Sequence, residues 1–440
     1  MLTLRYLVRL IGAFIFRFKA LILFGVASGA LLFFMLNFLK PLIVGRSMEK
    51  IGITGRFRTD NLPNSILSMV SSGLTKIDEN GEAKPDLASS WETKDSGKTW
   101  IFRLKEGLVW QDGKKIVSKD INYDFSDVRV EKPDDKTLVF KLQTPFSPLT
   151  SIVSRPIFKK GFLGTGKWKV IRISLTGSFL QELVLENGEK DRKIYKFYPT
   201  EEQSKLAFKL GEVDKLLNIF NPTPFESWKT VSVSKEIDTD KLVAIFFDTK
   251  DKLLSEKSLR QALAYAIKKD DLGSERALGP ISPSSWAYNP QVKPYNFDPK
   301  RAEELTEELP KEIRENLNIN LATTPVLLAT QEKVVKDWES VGVKTTVRVS
   351  PGIPSGFQAL LAIFDIPEDP DQYSVWHSTQ VASNISHYSN PRIDKLLEDG
   401  RAALSLEERR KIYLDFQRFL VEDSPAVFLY HPISYTIKRR

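Results

Sequence analysis

Along this 440-residue chain the hydrophobic positions fall into three rhythms, and each predicts a different element. Trp100, Phe102 and Leu104 alternate with Ile101, Arg103 and Lys105, and Leu138, Phe140 and Leu142 alternate with Val139 and Lys141. A period of two is that of strands with one buried face. Leu242 to Phe247 is apolar throughout and ends at Asp248 and Thr249, which suits a strand covered on both faces and implies helices packed on its sheet. Helical spacing appears in Ser258 to Lys269, where Leu259, Leu263, Ala266 and Ile267 share a stripe, and in Gln331 to Ser340, with Val334, Val335 and Trp338. Leu406 to Val421 carries Ile412, Tyr413, Phe416, Phe419 and Leu420, opens on a Ser405/Glu408 capping box and stops before Pro425. Strands and helices intermingle, and no repeat, low-complexity tract or long linker separates them. The pattern predicts an α/β protein of more than one lobe, whose ligand would sit in a cleft between lobes.

One apolar run is too long for a core strand. Ala20 to Leu39 is uncharged, with Asn37 its only strongly polar side chain. At about 1.5 Å per residue it would reach about 30 Å, the thickness of a bilayer's hydrocarbon core. Arg5, Arg9, Arg17 and Lys19 precede it, Lys40 and Arg46 follow, and no acid occurs before Glu49. That asymmetry puts the N-terminus in the cytoplasm and the bulk of the chain outside the cell membrane, as a single-pass protein. The small residues Ala27 to Ala30 lie mid-run, with apolar sequence beyond them, so an uncleaved anchor fits better than a cleaved signal. The chain has no cysteine, which excludes disulfides and lipidation at a cysteine.

The net charge of +8 invites a nucleic-acid reading, but six of the 64 Lys and Arg lie in the first 48 residues; the rest exceed the 56 acids by only two. Basicity is therefore mostly a topology signal, no nucleic-acid partner is expected, and Lys268-Lys269-Asp270-Asp271 reads as a solvated helix end. Groups for catalysis are scarce. His377, His387 and His431 match no metal spacing, HExxH and GxSxG are absent, and Gly164-Thr165-Gly166 reads as a tight turn rather than a phosphate loop. No catalytic residue, metal or cofactor is assigned. Aromatics are more suggestive: Trp110, Trp286, Tyr288, Tyr373, Trp376 and Tyr388 fall in loop-like sequence beside Pro, Asp and Asn. As a group they favour a binding cleft, the alternative being that they plug the ends of the sheet.

Ordered strings across the exported part resemble the family 5 extracellular solute-binding proteins, the oligopeptide and dipeptide receptors of ABC importers. They include "PDLASSWETKDSGKTWIFRLKEGLVWQDG" (85–113), "GTGKWKV" (164–170), "GEVD" (211–214), "KSLRQALAYAIKKDDL" (257–272) and the block from Asp369 to Tyr430. The resemblance implies a two-lobed, class II venus-flytrap fold behind the transmembrane helix. A tail and anchor would fill 1–47, with the helix at about 20–39. Lobe I would follow over 48–241, with a shortened subdomain near 120–149, and lobe II over 242–440. The C-terminal return to lobe I is expected to be missing, because the chain stops at Arg440. The function implied is that of a monomeric, non-enzymatic receptor that captures peptides and delivers them to an ABC permease and its ATPase subunits. A non-transporting sensor of the same fold, or a receptor for another solute, is the alternative. By resemblance and loop placement the ligand would meet Asp365, Phe364, Trp376, Tyr388, Trp110 and Trp286. Asp365 is the match for the family's amine-binding aspartate, although it stands five residues before Pro370 rather than four; a solvated loop residue is its other reading.

Overall fold

The computed structural model describes residues 16–21, 24–25, 27–31, 33, 35, 47–125, 127–354 and 356–440. Within the expected span at 20–39 the described residues are helical, and residues 22, 23, 26, 32, 34 and 36–39 of it lie outside the described residues. Among the described residues no helix is long and apolar enough to cross a membrane.

The chain starts in one lobe with β1 (Met48–Thr54), then a ribbon of β2 (Thr75–Ile77) and β3 (Ala83–Pro85). An antiparallel sheet follows from β4 (Ala88–Lys94), β5 (Thr99–Leu104), β6 (Val128–Asp134) and β7 (Thr137–Leu142), in the order β4-β5-β7-β6. The alternation read from sequence is realised here: Trp100 faces Phe140 and Phe102 faces Leu138, all with their side chains in one core. The chain then builds β8 (Lys169–Thr176), β9 (Phe179–Glu186), β10 (Arg192–Tyr198), β11 (Lys215–Ile219) and β12 (Val231–Ile237). These strands join β1 in the main sheet of this lobe.

The second lobe opens on β13 (Lys241–Phe247), every residue of which from Leu242 to Phe247 is buried. β14 (Asn318–Thr323), β15 (Lys344–Val349), β16 (Ala359–Asp365) and β17 (Ala426–Tyr430) complete a five-stranded sheet, order β15-β14-β16-β13-β17. Helices Lys257–Ala266, Leu328–Ser340 and Leu406–Asp423 bury their apolar stripes in the same core as β13. Ser405 caps the last of them by accepting from the Glu408 N–H at 3.5 Å.

Two expectations need correction. The return to the first lobe is present: β18 (Ile433–Arg439) pairs antiparallel with β11 and β12, giving a seven-stranded sheet of order β12-β18-β11-β1-β10-β9-β8. The few residues left after β17 suffice because only His431 and Pro432 separate β17 from β18. Lys269 is not solvated either. It is 4 % exposed, its ammonium donates to the carbonyls of Ala264 (2.5 Å) and Tyr295 (2.7 Å), and burial with nearby Arg276 lowers its pKa to about 7. The adjoining acids gave a misleading signal because the amine folds back to cap the helix it follows.

The glycine turn at 164–166 has a packing reason. A Cβ on Gly164 would lie 2.2 Å from the Val70 carbonyl oxygen, and one on Gly166 2.4 Å from that of Met69. Thr165 between them accepts from the Ser72 N–H at 3.0 Å.

If β18 holds the first lobe together, Ile437, fully buried against Leu216, Val231 and Phe208, is its anchor point. Replacing Ile437 with Ala should cost roughly 2–5 kcal/mol. Urea unfolding measures this, and a loss under about 1 kcal/mol would mean that the strand is dispensable.

Candidate functional site: a cleft between two lobes

The backbone crosses between the lobes twice, from β12 to β13 and from β17 to β18. The crossings are tied together. The Asp238 N–H donates to the Pro432 carbonyl (2.9 Å), His431 Nδ1 lies 2.8 Å from the Lys241 carbonyl, and Lys241 pairs with Asp238 at 2.6 Å. This double crossing is the hinge of a cleft between the lobes, and its Asp240 carbonyl accepts from the Ile366 N–H (2.8 Å) where one cleft wall begins.

The cleft encloses about 830 Å³. Its first wall comes from Asp60, Leu62, Asn64 and Leu67, which enter helix Asn64–Val70, and from the segment between Phe146 and Pro156 that contains helix Leu149–Ile152. The facing wall is Pro367 to Ser374, the loop that follows β16, with Arg401 at the end of helix Pro391–Ala402. Pro367 and Pro370 restrict the backbone of this loop and hold its carboxylates in place.

Two of those carboxylates are spent on structure. Asp369 and Arg409, both buried, form a two-pronged pair at 2.6 and 3.2 Å. Burial by itself would lower the Arg409 pKa, but the facing Asp369 and Tyr413 more than offset it and raise the guanidinium above its ordinary value. Ser151 of the opposite lobe donates to Asp369 at 3.1 Å. Asp371 takes the Arg401 Nε–H at 2.9 and 3.1 Å, and burial raises its carboxyl pKa despite that partner. The Arg401 guanidinium also lies on Tyr373 and reaches Phe146 across the cleft, at 3.8 and 5.2 Å from the ring centroids. Backbone contacts add to the closure: Ser147 N–H to the Arg401 carbonyl at 2.7 Å, and Trp286 N–H to the Asn80 carbonyl at 3.2 Å.

Two charges facing the cleft stand outside any ion pair. Glu368 and Arg155 line opposite walls, and neither forms an ion pair within 4.0 Å among the described residues. Partial burial and nearby Asp240 raise the Glu368 carboxyl, against the opposing pull of Arg155 and Asn64.

Of the residues expected from sequence, Trp286 borders the inter-lobe space: it lines a smaller cavity of about 210 Å³ that shares Ser151 and Asp369 with the cleft. The others line neither cavity. Trp376 is buried over Phe246 with its N–H on Gln372 (2.8 Å), and Tyr388 is buried with its hydroxyl on Asp423 (2.6 Å). Trp110 is buried in the first lobe with its N–H on Asp120 (3.1 Å). Phe364 is half-buried against Phe246, and Asp365 is exposed at the end of β16, in register with Lys241. These aromatics plug cores with their polar atoms satisfied internally, the arrangement that loop placement alone could not separate from a cleft lining. Glu368, Arg155 and the two ion pairs were missed. The signal available was "PEDPDQ", two carboxylates between prolines and a third directly after, since acids in such a segment stay buried only when paired. The histidines are engaged locally: His377 with Thr379 (2.8 Å), His387 with Asp248 (2.8 Å) and His431 in the hinge.

The sequence profile of the bacterial extracellular solute-binding proteins, family 5 Middle, matches residues 82–355. The chain belongs to this family. Such proteins bind solutes for ABC importers and are not enzymes, so this family 5 chain is a solute-binding protein of the transport class. It is 24 % identical to the oligopeptide-binding protein AppA of Bacillus subtilis, over 89 % of this chain and 86 % of that one. It is 23 % identical to the dipeptide-binding protein of Escherichia coli, over 80 % and 81 %. The same periplasmic-binding-protein-like fold occurs in NikZ of Campylobacter jejuni in complex with Ni(L-His), with a TM-score of 0.75 at 22 % identity, covering 89 % of this chain and 94 % of that one. It also occurs in AppA of Bacillus subtilis in complex with a nonapeptide, with a TM-score of 0.70 at 20 % identity, covering 90 % and 95 %.

The Asp369–Arg409 pair gives a stability test. Arg409→Met should cost roughly 3–5 kcal/mol by stranding a buried carboxylate, and adding Asp369→Asn should recover part of the loss. Equilibrium unfolding of the single and double variants checks this; equal stability of Arg409→Met and the native chain would contradict it.

Proposed function

We propose that this protein is the extracytoplasmic peptide receptor of an ABC importer, held at the cell membrane by the apolar segment at about 20–39 and delivering its ligand to a permease. The observation that carries this reading is the pair of opposite charges, neither of them in an ion pair, on the two walls of a hinged cleft. A peptide's free ammonium would meet Glu368, and its carboxylate or carbonyls would meet Arg155, while the already paired Asp369 and Asp371 keep the wall rigid. The cleft volume is in the range of small-ligand sites and leaves space for the water that lets one receptor accept varied side chains. Similarity to oligopeptide- and dipeptide-binding relatives supports the same ligand class. Glu368 replaces Asp365 as the amine partner in this reading, because Asp365 does not line the cleft.

Native mass spectrometry of protein purified without refolding from a peptide-containing medium should show bound peptides. A mass that stays ligand-free when peptide mixtures are added would reject the peptide reading. Glu368→Gln should weaken binding at least about tenfold, equivalent to about 1.4 kcal/mol. An ammonium needs the ionised carboxylate, and the Glu368 pKa is raised, so affinity is full above that value and falls as pH drops through it. The decline should begin at a higher pH than an ordinary glutamate would give, and titration calorimetry should find it flattened in Glu368→Gln. Equal affinity for N-acetylated peptides would contradict the role of Glu368.

The anchor is tested separately. Alkaline carbonate washing should leave the full chain in the membrane fraction, whereas release into the supernatant would reject the anchor.

A further inference from the structure

The seven-stranded sheet has two unlike ends. At one, Ile237 of β12 stands opposite Ile433 of β18, next to the crossings between lobes. At the other, Val231 stands opposite Arg439, and Lys438 opposite Lys215. Because β1 runs parallel to β11, the chain enters the fold at Ser47 and Met48 on this second end, away from the hinge.

Cations gather where the chain enters. Lys169 begins β8, Lys190 lies in the β9–β10 turn, Lys229 precedes β12, and Lys438 and Arg440 lie at the end of β18. All five are exposed, and none is within ion-pair distance of a carboxylate among the described residues. Most acids on the same rim are already neutralised. Glu49 holds Lys193 (2.8 Å) and Lys215 (3.6 Å), Glu186 holds Arg192 (2.8 Å), Glu189 reaches Lys167 (4.0 Å) and Glu212 reaches Lys196 (3.9 Å). Asp191, Asp214 and Glu226 are left, so the uncommitted charge of the rim is positive although the exported part as a whole is nearly neutral. A groove of about 730 Å³ runs from this rim along the edge strand β12, lined by Trp228, Lys229, Tyr435 and Arg440 among others. Tryptophan and tyrosine beside lysine and arginine are the side chains that settle at head-group level.

We propose that this rim docks on anionic lipid head groups. The proposal rests on the anchored reading above for its geometry. Seven residues, 40–46, separate the apolar segment from Ser47, and they can extend at most about 25 Å. The rim is thus held near the bilayer at high effective concentration, where an uncommitted lysine feels the surface potential of anionic lipid. Docking through this end leaves the hinge and the second lobe free to move.

The absence of cysteine makes the test direct, since one introduced thiol takes the only label. A donor dye is placed in the full-length protein at Gly188→Cys, in the β9–β10 turn, or at Lys311→Cys on the second lobe as a control. Energy transfer is then read to an acceptor lipid in phosphatidylcholine vesicles, with and without about 30 % phosphatidylglycerol. Transfer from the rim label should rise at least about twofold with anionic lipid and fall back in about 0.5 M salt, as expected for a screened surface interaction. The control label should not respond. The rise should vanish in the variant Lys169→Glu, Lys190→Glu, Lys229→Glu, Lys438→Glu, with solute binding in that variant as the check that it folds; if it does not fold, the lipid and salt dependence of the native chain decide. Equal transfer in neutral and anionic vesicles overturns the proposal. Failure of the anchor would show instead as loss of the native chain from neutral vesicles, and the difference between lipids would still report on the rim.

Discussion

The double crossing between β12–β13 and β17–β18 is the constraint on which the rest of the molecule depends. A single linker would leave the two lobes free to twist about it. Two crossings tied by the Asp238–Pro432 and Lys241–His431 contacts confine the lobes to motion about one line. The cleft walls therefore meet in a fixed register, and residues far apart in sequence, such as Ser151 and Asp369, become neighbours. The final strand carries more than its length suggests: by inserting between β11 and β12 it completes the first lobe and supplies the second crossing.

Electrostatics divides the cleft into structural and available charge. Asp369 is buried and Asp371 partly so, and each is matched by an arginine from the helices that back the wall. Such pairs add little net stability but are costly to break, so they specify one arrangement of the loop. Glu368 and Arg155 are the reverse case. They are carried by opposite walls, outside any ion pair within 4.0 Å, and the Glu368 carboxylate is favoured only by Asn64 and the more distant Arg155; a ligand bearing complementary charges therefore has differential contacts to make with the closed arrangement, which is what population shift requires.

Periodicity made the lobe cores legible. The uniform run Leu242–Phe247, the alternation around Phe102 and Phe140, and the Ser405-capped helix were read from sequence and stand in the structure, because burial on one face or two leaves a distinct pattern. Where a polar side chain goes was less legible. Lys269 folds inward although two acids follow it in sequence, and Trp110, Trp376 and Tyr388 are sealed into cores although their neighbours are loop-formers. In each case the deciding partner, a carbonyl, Asp120, Gln372 or Asp423, is chosen by the fold rather than by the local sequence. The cleft acids escaped notice for the same reason: "PEDPDQ" shows that carboxylates are held rigidly, but only Arg401 and Arg409, brought in by helices tens of residues later, separate the paired ones from the free one.

The central claim is that solute closes the two lobes on each other about this hinge. With no native cysteine, spin labels at Lys136→Cys in the first lobe and Lys395→Cys in the second give one unambiguous inter-lobe distance by pulsed electron resonance. The account predicts a broad distance distribution in solute-free protein that narrows and shortens when peptide is added. An unchanged distribution under conditions where peptide is demonstrably bound would contradict it, and would place the binding site elsewhere on the molecule.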